Sequence, residues 1–123
     1  SGKLDEAQMY FHEMSTRYGV SPSFEHHTCM VTVFGNVGKF EKAMSVIRTM
    51  PSSEYIPVWI ALLSTCRKWG NVELGRFAYD HVLRIDSNIA EAYVLMYTLY
   101  AVAGMHEDAR KVEAMKVKCC FVE

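Results

Sequence analysis

Apolar residues recur at helical spacing along this chain, and no segment alternates convincingly with period two. The pattern predicts seven helices, roughly over 3–17, 25–35, 39–50, 57–69, 72–85, 89–103 and 106–117. Pro22 and Pro51 punctuate two of the joints, and Asp86-Ser87-Asn88 marks a third without a proline. The fold class expected is all-α.

Four short segments inside this pattern look alike: Gly2 to Ala7, Gly38 to Ala43, Gly70 to Gly75 and Gly104 to Ala109. Each has a glycine, an acidic residue three places on, and a small residue two places further. The glycines are 36, 32 and 34 residues apart, the period of a helical repeat array. The chemistry suits a helix–turn–helix. Glycine accepts the left-handed conformation that ends a helix, and the acid meets the positive end of the next helix dipole. The small residue lets two backbones approach closely. A ring, His27, Trp59 or Tyr93, stands 11 residues before each of the last three glycines. The architecture expected is therefore a right-handed solenoid of helix pairs, each repeat contacting its neighbours.

Composition narrows the function. In 123 residues, 13 Lys and Arg stand against 14 Asp and Glu, for a net charge of −1. That excludes a strongly cationic nucleic-acid-binding domain as a global description, though not a local basic strip. Half the residues are hydrophobic, too many for a disordered chain. Cys29, Cys66, Cys119 and Cys120 lack C-x-x-C spacing and read as free thiols of a reducing compartment. No metal site is expected, because His12, His26, His27, His81 and His106 show no ligand spacing. No apolar stretch approaches the length of a membrane span. The opening residues read as a chain entered mid-element, so an excised fragment is expected.

The residues of four segments carry a family resemblance. Glu25 to Val31 resembles the EHYTCMV that opens the last long-type repeat of plant pentatricopeptide repeat (PPR) proteins. Val58 to Arg67 resembles the VWGALLSACR of their final short-type repeat, followed by Gly70 to Gly75, which matches GNVELG residue for residue. Ala92 to Ala101 is similar to the AYVLLSNIYA opening of the E extension. The resemblance implies the subclass with ordinary, long and short repeats. Its boundaries here are an incomplete repeat over 1–22, a long repeat over 23–55, a short repeat over 56–89, an E-extension repeat over 90–118, and the start of a truncated tail over 119–123.

What the resemblance implies about function is an organellar, sequence-specific RNA-binding protein of mitochondrion or chloroplast, mostly for C-to-U editing of single-stranded transcripts. The E region would link the RNA-binding repeats to a DYW-type deaminase in trans or to editing accessory proteins. Splicing or processing of RNA is the neighbouring reading, and a tetratricopeptide-type protein-binding scaffold stands outside it. The chain itself is expected to be no enzyme and to use no cofactor: the deaminase signature H-x-E with P-C-x-x-C is absent, as are nucleophile-elbow and P-loop motifs.

Carried onto this sequence, the family's base-reading positions pair Thr28 with Tyr55 and Ile60 with Ile89. Thr28 can hydrogen-bond a base edge, whereas Ile60 cannot. Arg67 and Lys68 are candidates for phosphate contact. Trp59, Trp69, Tyr93, Tyr97 and Tyr100 admit both a core reading and a base-stacking one. A docking face is expected on the final repeat. There Tyr93, Tyr97 and Tyr100 form one stripe and Leu95, Met96 and Leu99 another, so that tyrosine area stays exposed beside Arg110, Lys111 and Lys116.

Overall fold

The structure, a computed structural model, describes residues 23–120. The helix expected over 3–17, the motif copy Gly2 to Ala7 and residues 121–123 lie outside the described residues. Within them the chain forms six helices and no strand: α1 (Phe24–Asn36), α2 (Phe40–Arg48), α3 (Ile56–Trp69), α4 (Val72–Ile85), α5 (Ala90–Val102) and α6 (His106–Cys120). The fold is all-α and built of helix pairs, as a helical-repeat solenoid requires. Two compact units divide the chain after Val58.

In the first unit α1 packs on α2. Ser23 caps α1 through a reciprocal box: its Oγ accepts from the His26 N–H, and the His26 Nδ1 accepts from the Ser23 N–H at 3.1 Å. The apolar stripe then buries Met30, Val31 and Phe34 against Ala43, Val46 and Ile47. Ala43, the small residue of the repeat motif, is fully buried.

The second unit contains most of α3 and all of α4, α5 and α6. Leu62, Leu63 and Cys66 of α3, Ala78 and Val82 of α4, and Met96 and Leu99 of α5 are fully buried. Each such Leu or Val contributes about 1.5–3 kcal/mol. Gly75 is where the motif's small residue decides the packing. A Cβ there would collide with Leu99 Cδ2, with Cys66 Cβ 3.4 Å and Leu63 Cδ1 3.5 Å away. A larger side chain at 75 would push α4 off both α3 and α5.

The three helix-pair turns share one hydrogen-bond pattern. Gly38, Gly70 and Gly104 have φ of 78°, 69° and 80°. The residue after each glycine, Lys39, Asn71 or Met105, donates its N–H to the carbonyl five places back, at 2.9, 2.9 and 2.8 Å. Each glycine N–H reaches the carbonyl three places back. This is the Schellman closure, and it satisfies carbonyls the helix end would leave orphaned.

α6 runs three residues past the expected 106–117 and takes in Cys119 and Cys120. The stripe of Asp108, Ala109, Val112, Lys116 and Cys119 keeps helical period to that point, so packing against α5 carries the helix on.

Candidate functional site

The ring that precedes each glycine fastens its helix rather than facing a ligand. His27 is buried, and its Nδ1 lies 2.8 Å from the carbonyl oxygen of Ser23. Tyr93 is fully buried and donates its hydroxyl to the Ser87 carbonyl at 2.7 Å. Burial first, and the neighbouring Cys119 thiol second, push its phenol above the ordinary range. Trp59 is buried beneath the His81 ring, stacked at 4.1 Å between centroids, with Phe77 edge-on at 5.7 Å. These rings belong to the core.

The positions expected to read bases lie one residue further along. Thr28 is half-buried one turn beyond Phe24, and its Oγ1 donates to the Phe24 carbonyl at 2.9 Å. Tyr55 stacks on the Phe24 ring at 4.8 Å. Phe24 and Thr28 are four residues apart on α1, so the stack brings Tyr55 to the helix face that carries Thr28. With its one proton engaged, the Thr28 hydroxyl is left with lone pairs, able to accept a hydrogen bond from a base edge.

Ile60 and Ile89 are half-buried and offer no hydrogen bond. Ile60 sits in the second turn of α3, and Ile89 is the N-cap residue of α5 with no side-chain cap. Arg67 and Lys68 are exposed in the last turn of α3. Arg67 is seven residues beyond Ile60 and therefore shares its face. Their place at a helix C-terminus also suits the dipole.

The structure revises the docking face. Tyr93 is fully buried and Tyr100 is 6% exposed, so neither presents an exposed ring. Tyr97 is half-buried. The physical reason is that α5 packs against both α4 and α6, which gives each of its apolar stripes a partner. Tyr79 meets Tyr93 edge-on at 5.8 Å, and burial pushes the Tyr79 phenol up to about 12. The Tyr100 hydroxyl accepts from Arg76 Nε at 2.8 Å, with the guanidinium over the ring. Arg110 and Lys111 are exposed, whereas Lys116 is half-buried on the inward stripe of α6.

Of the two readings open for Trp69, core or surface, the structure gives the surface one. Its apolar spacing continues the Leu62–Cys66 line, but it ends the helix and stands 53% exposed. No signal in the spacing separates a last-turn residue that overhangs the core from one inside it. Among the described residues no group of three or more His, Cys, Asp and Glu is placed to hold a metal ion. Among the described residues no helix is long and apolar enough to cross a membrane.

The PPR repeat family matches residues 1–18 and 25–55. Along its length the chain is similar to plant proteins. One is a pentatricopeptide repeat-containing protein of Arabidopsis thaliana, 38% identical over 115 residues, which cover 94% of this chain and 14% of the relative. Another, named chloroplastic, is 38% identical over 109 residues, 89% of this chain and 20% of the relative. A third, named mitochondrial, is 34% identical over 115 residues, 94% of this chain and 18% of the relative. The chain thus spans about a fifth or less of these three relatives. No solved structure gives a significant match. A glycine-closed helix pair repeated at a period near 34, together with these matches, places the chain in the PPR repeat family.

Proposed function

We propose that this chain is the C-terminal part of an organellar, sequence-specific RNA-binding protein that selects sites for C-to-U editing. In this reading residues 23–55 and 56–89 are the last long and short repeats, and 90–118 is the E extension. The segment links upstream RNA-reading repeats to a DYW-type deaminase in trans or to an editing accessory protein. The relatives named chloroplastic and mitochondrial support an organellar location.

One observation carries the reading: polarity at the reading positions runs out along the chain. Thr28 holds an accepting hydroxyl with Tyr55 beside it, whereas the next pair, Ile60 and Ile89, is wholly apolar. The polar reading end thus lies toward the N-terminus, and the repeats that follow suit docking. By itself residues 1–123 should bind single-stranded RNA weakly and with little sequence preference, because net charge −1 supplies little phosphate attraction.

Sequencing of organellar transcripts from a plant lacking the full-length protein tests this. Loss of C-to-U conversion at one or a few sites is expected. Accumulation of unspliced or unprocessed transcripts with editing intact would move the function to splicing or processing.

A further inference from the structure

The docking role proposed above needs a surface, and the tyrosines of α5 do not supply one. The outward side of α6 does. Helical spacing sets Arg110, Ala114 and Val117 on one ridge and Lys111, Met115 and Lys118 on the next. All six are exposed, with Met115 at 42% and Val117 at 54%. On this face Arg110, Lys111 and Lys118 are three cations against the single carboxylate of Glu113 in the same stretch, in a chain whose net charge is −1. The stripe that holds α6 to α5 lies on the other side, around the buried Val112.

We propose that this outward face docks an acidic amphipathic helix of a partner protein. This rests on the docking reading above and names the chemistry of the partner. Ala114 sits at the middle of the face, and a small residue there permits the 8–10 Å approach of two helix axes. Met115 and Val117 flank it as an apolar centre, and cations close both ends, the layout of an interface with a polar rim. Arg110 and Lys118 are eight residues apart, about 12 Å along the axis. The partner's acids therefore fall at i and i+7 or i+8, with apolar residues at i+3 and i+4 between them. RNA fits less well: the face carries no aromatic ring on which a base could stack.

The probe is a fluorescein-labelled, helix-forming peptide with Glu at i and i+7 and Leu at i+3 and i+4. Its binding to the whole chain is measured by anisotropy at two salt concentrations. The expected affinity is on the order of 10 μM, as for a small transient interface, weakening with salt. Reversing both ends, Arg110→Glu with Lys118→Glu, should weaken it tenfold or more, and a peptide with Lys in place of Glu should restore it. Ala114→Trp, which blocks close approach without altering charge, should weaken it comparably. Circular dichroism confirms that each variant keeps its helicity.

The proposal is overturned by unchanged affinity in both variants, or by the lysine peptide binding the unaltered chain equally well. It is overturned too if the charge reversal abolishes binding of a uridine oligonucleotide, or of phosphatidylserine vesicles, and spares the peptide. An absence of editing defects in plants would defeat the editing reading and leave this result standing.

Discussion

Replacing Gly70 by alanine separates the strain of a repeat turn from every packing effect. Gly70 holds φ at 69°, and a Cβ built there meets nothing within 4 Å. The cost is therefore conformational. An L-residue in the left-handed region costs about 1–2 kcal/mol. Alanine recovers about 0.4–1 kcal/mol of that by restricting the unfolded chain. The net expectation is a loss of about 0.5–1.5 kcal/mol for Gly70→Ala. Asparagine, which tolerates this conformation, should lose roughly half as much in Gly70→Asn. Urea unfolding reads both, followed by the fluorescence of the buried Trp59 in a Trp69→Phe background and by circular dichroism, since repeat arrays need not unfold in one step. The reasoning fails if Gly70→Ala is as stable as the parent, or if asparagine is worse than alanine.

Cysteine labelling should separate the thiols. Burial pushes Cys66 up to about 12, so iodoacetamide at pH 8 should modify exposed Cys29 and spare Cys66 until urea is added, as peptide mass spectrometry will report. Stability should fall on acidification. Burial first and Arg84 second hold His81 below its usual 6.5, so the unfolded state takes up the proton first as pH drops through that value. The loss should be complete below the depressed folded value, and His81→Phe, which keeps a ring on Trp59, should flatten the slope in that window. Leu62→Asp, placing an unpaired charge at a fully buried position, should cost several kcal/mol and abolish the unfolding transition seen by circular dichroism.

Most of the described fold was legible in the residues. Period and turn chemistry act locally, so the helices over 25–35, 57–69, 72–85 and 89–103 emerged within a residue of α1, α3, α4 and α5. The expected left-handed glycines appear at 38, 70 and 104. What the sequence hid was which side of a helix has a partner. The tyrosines of α5 were placed outside because a helix with two apolar stripes cannot bury both against one neighbour, and α5 has two neighbours. For Trp69 the residues left core and surface both open, and its place in the last turn of α3 decides for the surface. At the expected reading positions, residue identity shows that Ile60 offers no hydrogen bond. It did not tell that Phe24 draws Tyr55 to the face of Thr28, since that depends on a stack between segments some thirty residues apart.

The shared closure of the turns gives the repeat one rigid half and one elastic half. From ring to glycine the count is always 11, whether the ring is His27, Trp59 or Tyr93. From glycine to the next ring the chain is free to vary. In one case a short α2 is followed by the joint 49–55, and in the other a longer α4 by the joint 86–89. An engineer recombining such arrays should cut within those joints and move each ring-to-glycine stretch whole, as a cassette. Insertions will be absorbed in the joints, whereas one extra residue inside the cassette turns the following helix by about 100° and faces its apolar stripe toward water.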